Sequence, residues 1–246
     1  MLSRKIFYFL FVCFTAMQTA NAQNWGGGVD DDNLHFGFTF QYVSSEFKFL
    51  KKSDWQEPFQ SVDEEGIPFT GKRLRSLSSK PSPGFGIGFV VNQRLGENAD
   101  VRLTPTLVFN DRLAYYEFEG EEAIIEKKVQ STMVEFPLGI KLKSDRRNNF
   151  RAYIIGGAKY SIDIGSKKRT NDASFGAMEK FLKNKKNFLS YEAGVGFDLY
   201  FEYFKMSPEI KLSYALNDIL KNDPSPYSKP IDKLMLRHVT FSLFFE

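Results

Sequence analysis

Few residues in this chain have the types and spacing that chemistry needs. It contains only two histidines, His35 and His238. If both lay on paired strands they could share a metal or serve as the base of a lipid hydrolase. No serine stands in a recognisable nucleophile context, and histidines on a polar strand face ordinarily hydrogen-bond within a lumen. Gly84-Phe85-Gly86-Ile87-Gly88 looks like a phosphate-cradling loop. It lacks the strand–turn–helix setting that would aim backbone amides at a phosphate. Asp30-Asp31-Asp32 offers carboxylates for calcium, but no glycine turn or closing glutamate follows at the required spacing. No metal, cofactor or small-molecule substrate is implied, and the chain is not expected to be an enzyme.

Charge placement is more informative. Arg102, Lys141, Arg151, Lys159 and Lys211 share strand faces with glycine and hydroxyl residues, as do Glu135, Glu192, Asp198 and Glu209. If those faces are enclosed, the charges must pair, because an isolated buried ion is very costly. A second charge feature lies between residues 165 and 187. There Lys167, Lys168, Arg169, Lys180, Lys183, Lys185 and Lys186 outnumber Asp172 and Glu179. Such a basic loop suits an anionic lipopolysaccharide surface or an acidic partner, or else is simply a solvated loop.

The elements that would position these residues show in an alternating rhythm. Strand residues point alternately to opposite faces. Near Leu34–Val43, Phe36, Phe38, Phe40 and Tyr42 oppose Gly37, Thr39 and Gln41. Further strands are expected near Gly84–Gln93, from Val101 toward Phe118, and near Ser131–Leu142, Arg151–Ile162, Ser190–Phe201, Phe204–Tyr214 and Arg237–Phe245. Their apolar faces are large and aromatic, and their opposite faces mix small residues with charge. A soluble barrel would place the large residues inside. Pro105, Pro137 and Pro208 each remove a ladder donor and weaken the pattern locally.

The gaps alternate long and short, from roughly forty residues in the first to about two in the sixth. With the N-terminus in the periplasm, all the long ones face outward. The pattern predicts an all-β, eight-stranded antiparallel up-and-down transmembrane β-barrel with long extracellular loops and short periplasmic turns. Residues 1–22 read as a cleaved signal peptide: Arg4 and Lys5, an apolar run, then Ala20-Asn21-Ala22. Residues 23–33 read as a periplasmic linker and 34–246 as the barrel. Cys13, the single cysteine, falls inside the leader, so neither a disulfide nor a thiolate metal site is expected. The formal charge of +3 includes Arg4 and Lys5. The mature chain is thus close to neutral, which argues against nucleic acid. Aromatics reach 16%, with 26 Phe.

His35-Phe36-Gly37-Phe38, Val129–Leu142 and above all Tyr191–Asp218 resemble the PorT family of Bacteroidetes outer-membrane barrels. The stretch Phe204-Lys205-Met206-Ser207-Pro208 is the most specific part. That resemblance implies an accessory component of type IX secretion, the system that exports proteases, adhesins and gliding-motility proteins. It implies contact with other secretion components rather than a conducting pore, and it carries no site residues with it. The alternative is a general structural or surface-binding outer-membrane barrel of the OmpA type. One departure is that Phe245 is followed by Glu246, where many barrels end on an aromatic that assists insertion.

Overall fold

The computed structural model describes residues 33–62, 68–121, 123–165, 182–221 and 225–246. The leader, nearly all of the linker and Asp30–Asp32 lie outside them. Twelve strands are present in the described residues: β1 (Leu34–Lys51), β2 (Gln60–Val62), β3 (Pro68–Thr70), β4 (Leu74–Lys80), β5 (Ser82–Arg94), β6 (Ala99–Leu103), β7 (Thr106–Phe118), β8 (Ile125–Lys143), β9 (Phe150–Asp163), β10 (Asn187–Tyr200), β11 (Lys205–Ala215) and β12 (Ile231–Phe245). β2 and β3 form a small hairpin outside the wall. Pro81 separates β4 from β5, and Thr104-Pro105 separates β6 from β7. Each of these pairs continues one wall strand, which gives a ring of eight.

The ring runs β1-β12-β11-β10-β9-β8-β6/β7-β5/β4 and closes through β1–β5 pairing, every neighbour antiparallel. Closure matters because lipid offers backbone groups no partner, so a spanning sheet must leave no edge. The proline breaks are bridged: the Phe89 amide donates to the Pro105 carbonyl at 3.0 Å, and the Thr104 amide to the Pro137 carbonyl at 3.0 Å.

Exposure is inverted relative to a water-soluble protein. Phe89 is 71% exposed and Phe36 66%, whereas Lys141 is 0% and Arg102 1%. The expected parity therefore holds, and the aromatic faces point out into lipid. Aromatic pairs lie directly across the ladder there. Phe38 stacks on Phe245 at 5.1 Å, Phe85 on Phe109 at 5.0 Å and Tyr191 on Tyr214 at 6.0 Å. Such pairs contribute about 0.5–1.5 kcal/mol beyond their area.

Strand length departs from the expectation. β1 has 18 residues and β8 has 19, against the roughly 9–11 that span a bilayer. The third gap, expected at about eleven residues, shrinks to 119–124. β1, β4, β7, β8 and β12 continue past the apolar band on the long-loop side. Their outer faces there carry exposed ion pairs: Lys128–Asp111 at 2.7 Å, Arg75–Glu117 at 3.3 Å, and Arg237 with Glu46. Periodicity in sequence marks faces but not where lipid stops, so the apolar half of each strand is legible and its water-facing extension is not.

Glycines on the inward faces set wall spacing. At Gly157 a Cβ would run into the Leu138 carbonyl and approach the Gly139 Cα at 2.6 Å, both backbone of β8. Gly157→Ala is expected to push β8 and β9 apart and to lower the stability of the barrel folded in lipid vesicles by about 1–3 kcal/mol, the usual cost of overpacking. Urea midpoints followed by the heat-dependent gel shift of the folded barrel check this; an unchanged midpoint would show that the wall absorbs the methyl group.

Candidate functional site: a lumen sealed in two tiers

The periplasmic half of the lumen is filled by ion pairs. Arg102, on β6, reaches across the full ring to β11, where Nη1 lies 3.1 Å from Glu209. Its Nη2 lies 2.9 Å from Glu246, just beyond β12. The guanidinium sits 4.5 Å from the Phe244 ring and 5.5 Å from the Tyr153 ring, so aromatic faces take the cation where water is excluded. Lys205 reaches the other Glu246 oxygen at 2.8 Å, and Asn92 donates to it at 3.1 Å. The Tyr153 hydroxyl donates to Glu209 at 2.9 Å.

Around this centre the remaining charges pair in the same way. Lys141 Nζ contacts both Asp198 oxygens at 2.7 and 2.8 Å, and the Ser207 hydroxyl donates to Asp198 at 2.6 Å. Lys211 bridges Glu192 at 3.1 Å and Glu209 at 3.3 Å. Lys159 binds Glu135 at 2.9 Å and approaches His238 Nδ1 at 3.1 Å, and Ser161 donates to Glu135 at 3.2 Å. Arg151 is half-buried and sits opposite Asp198 in the β9–β10 register. The nine charges expected in the lumen all lie on inward faces, and the pairs among them include Arg102–Glu209, Lys141–Asp198, Lys211–Glu192 and Lys159–Glu135.

The network extends beyond those nine. Lys143 pairs with Asp100 at 2.6 Å, and Ser131 donates to Asp163 at 2.9 Å. Arg112 is 1% exposed and its Nη2 lies against the Met133 sulfur at 2.7 Å. Lys205 falls on the polar face of its strand in the sequence but is not among the charges expected to pair, and neither are Asp100, Arg112, Lys143, Asp163 and Glu246. For Asp100, Arg112, Lys143, Asp163 and Lys205 the signal is present, since each continues the inward parity of its strand. Small residues give these side chains room. A Cβ at Gly196 would stand 2.5 Å from the Tyr153 ring, and one at Gly194 would strike the Lys211 stem.

The extracellular half is filled differently. Phe47, Leu74, Leu77, Tyr116 and Phe118 project inward from the tall wall. Leu182, Ile219, Leu220 and Tyr227 enter from the connections between β9 and β10 and between β11 and β12. These two segments are tied together: the Lys185 amide donates to the Ile219 carbonyl at 2.7 Å and the Lys221 amide to the Lys183 carbonyl at 3.0 Å. One Asp218 oxygen accepts from the Leu220 amide at 3.0 Å and the Leu234 amide at 2.8 Å. The Tyr116 hydroxyl donates to the Tyr227 carbonyl at 2.9 Å. Burial, with Glu121 adding to it, pushes the Tyr227 hydroxyl up to about 12, so this part of the plug stays uncharged. Sequence parity alone gave no hint of this apolar tier.

The basic loop is only partly described. Lys167, Lys168, Arg169 and Lys180 lie outside the described residues. Lys185 Nζ is 2.8 Å from the Asp218 carbonyl; Lys183 and Lys186 flank it, the Lys183 carbonyl accepting from the Lys221 amide and the Lys186 carbonyl from the Asp163 amide of β9. His35 and His238 are not neighbours. His238 pairs with Ser45, ten residues along β1 from His35, which is about 33 Å of strand. The idea of a shared histidine site falls on that register. Among the described residues no cluster of His, Cys, Asp and Glu is arranged to hold a metal.

A closed ring with a lipid-facing apolar band and a packed polar centre defines an outer-membrane barrel. The chain belongs to the outer membrane protein beta-barrel domain family, whose pattern matches residues 21–221. Among solved structures it is similar to OprG from Pseudomonas aeruginosa, at 13% identity and a TM-score of 0.49, covering 85% of this chain and 93% of that one. It is also similar to Ail of Yersinia pestis in complex with the heparin analogue sucrose octasulfate, at 10% identity and 0.37, covering 85% and 96%. AlkL, determined by solid-state NMR in DMPC bilayers, matches at 12% identity and 0.37, covering 91% and 93%. Among curated proteins none matches.

Breaking one buried pair should cost more than removing it whole. Lys141→Met, which leaves Asp198 uncompensated, is expected to lose about 3–5 kcal/mol, and Lys141→Met combined with Asp198→Leu should recover most of it. Urea unfolding in vesicles measures both; a single variant as stable as the parent would remove the pair from any structural role.

Proposed function

We propose that this barrel is an accessory component of type IX protein secretion and works by touching other secretion components, not by conducting cargo and not as an enzyme. The observation that carries the non-conducting part is the lumen. Paired ions fill it below, and a hydrophobic plug fills it above. An eight-stranded ring has room for side chains and little else. A folded substrate has no path through it.

The resemblance of Val129–Leu142 and Tyr191–Asp218 to the PorT family supplies the secretion assignment. The architecture suits such a role. The wall that rises above lipid on β1, β4, β7, β8 and β12 is braced from inside by the apolar plug. It offers a rigid extracellular surface for contact.

Two measurements test the proposal in separate steps. The purified barrel in planar lipid bilayers should give no conductance steps; well-resolved channel openings would refute the sealed lumen. In a Bacteroidetes strain, deleting the gene should abolish export of type IX cargo while the outer membrane stays intact. Normal export with a weakened envelope would instead assign the chain to the general structural barrels.

A further inference from the structure

The lipid face is not uniform. On β1 and β5 it is crowded with large side chains such as Phe40, Phe85 and Phe89. Near the periplasmic end of β8 to β12 a groove of about 660 Å³ opens instead. Its sides are Leu142, Ile154, Phe197 and Ile210, and its floor lies where Ala152 and Pro208 take the place of larger residues. The wall is locally loosened there. β10–β11 pairing runs to Gly196↔Glu209 and resumes at Leu199↔Met206, leaving out Ser207 and Pro208; a proline has no N–H to give a ladder.

The groove's mouth has a definite chemistry. Lys143 and Ser144 line it, Lys143 already paired with Asp100, and Ser144 opens the turn 144–149, which carries Arg146 and Arg147. Arg146 is committed: its Nε donates to the Asn148 carbonyl at 2.8 Å, and its guanidinium lies 3.8 Å over the Tyr200 ring. The one acid of the turn, Asp145, accepts from Asn98 at 3.2 Å. Arg147 is exposed and forms none of the described ion pairs. An apolar groove that ends at Ser144, in the turn that also carries the exposed Arg147, matches a molecule with a hydrocarbon tail and an anionic head.

We infer that this groove binds one anionic glycerophospholipid of the periplasmic leaflet, its acyl chain between β9 and β11 and its phosphate against Ser144 and Arg147. Arg147 gives the preference for an anionic head, and the space over Ala152 admits the chain. The inference is independent of the secretion assignment, since it rests on the outer wall and not on the lumen.

The test uses the full mature barrel, reconstituted in phosphatidylcholine bilayers containing a minority of phosphatidylglycerol, then extracted and weighed with its retained lipid by native mass spectrometry. One phosphatidylglycerol per barrel is expected, enriched over its share of the bilayer. Ala152→Trp, which fills the groove, should abolish retention. Ala158→Trp, on the same strand but away from the groove, should leave it intact. Arg147→Glu should keep a retained chain but reduce the preference for phosphatidylglycerol roughly tenfold, the contribution of one charge-assisted hydrogen bond. Equal retention of the two lipids by the parent would overturn the inference. So would retention by Ala152→Trp equal to that of the parent. If Ala152→Trp fails to fold, the Arg147→Glu arm decides alone, and an unchanged preference there refutes the site.

Discussion

Arg102 spans the ring, and the rest of the lumen is arranged around that fact. Its guanidinium leaves β6 and meets Glu209 on β11, the strand diametrically opposite, and Glu246 beyond β12. Neither water nor lipid can take that charge at membrane depth, so the carboxylates must. Once they are fixed, Lys205, Lys211 and Tyr153 follow, because each carboxylate oxygen left unmatched would itself be costly. The apolar outer face does not hold the barrel shut, since lipid is as apolar as the side chains it touches. Backbone ladders close the ring and the ionic core fixes its shape.

The two tiers of the lumen reflect two environments outside. Within the bilayer the outer face must be apolar, so the polar residues of each alternating strand have only the inside to occupy. Above the bilayer the outer face meets water. Ion pairs such as Lys128–Asp111 then move to the exterior, and the interior turns apolar, with Tyr116, Phe118 and Leu220 in contact range of one cluster. The same strand thus reverses its inside-out character as it crosses the membrane surface. β8 shows this within one element: Lys128 faces out above, and Lys141 faces in below.

That reversal explains what could be read from the sequence. Parity alone places Arg102, Glu135, Lys141, Lys159, Glu192, Asp198, Glu209 and Lys211 on one enclosed face, and it names cations and anions in near balance. It cannot choose partners, because these lie on the adjacent strand for Lys159 and Lys211, two strands away for Lys141 and on the opposite strand for Arg102, at a stagger set by strand tilt. It also cannot see Glu246 as part of the core. Next to Phe245 that residue looks like an interruption, yet Phe245 stacks outward on Phe38 while Glu246 turns in to Arg102. The plug was hidden for a different reason. Ile219, Leu220 and Tyr227 come from connections with no period, and only the closed mouth of the ring gives them a place to bury.

Among the described residues the lumen is filled with paired ions below and apolar side chains above. Two outer surfaces remain distinctive. One is the raised wall, stiffened by the plug and studded with paired charges. Such pairs contribute little stability at a surface, but they set a pattern of sign that a partner must match. The other is the loosened strip at Pro208, where the β10–β11 ladder skips two residues and the lipid-facing surface recedes. With a filled interior and an exterior that differs from side to side, the barrel presents chemically distinct faces to what surrounds it.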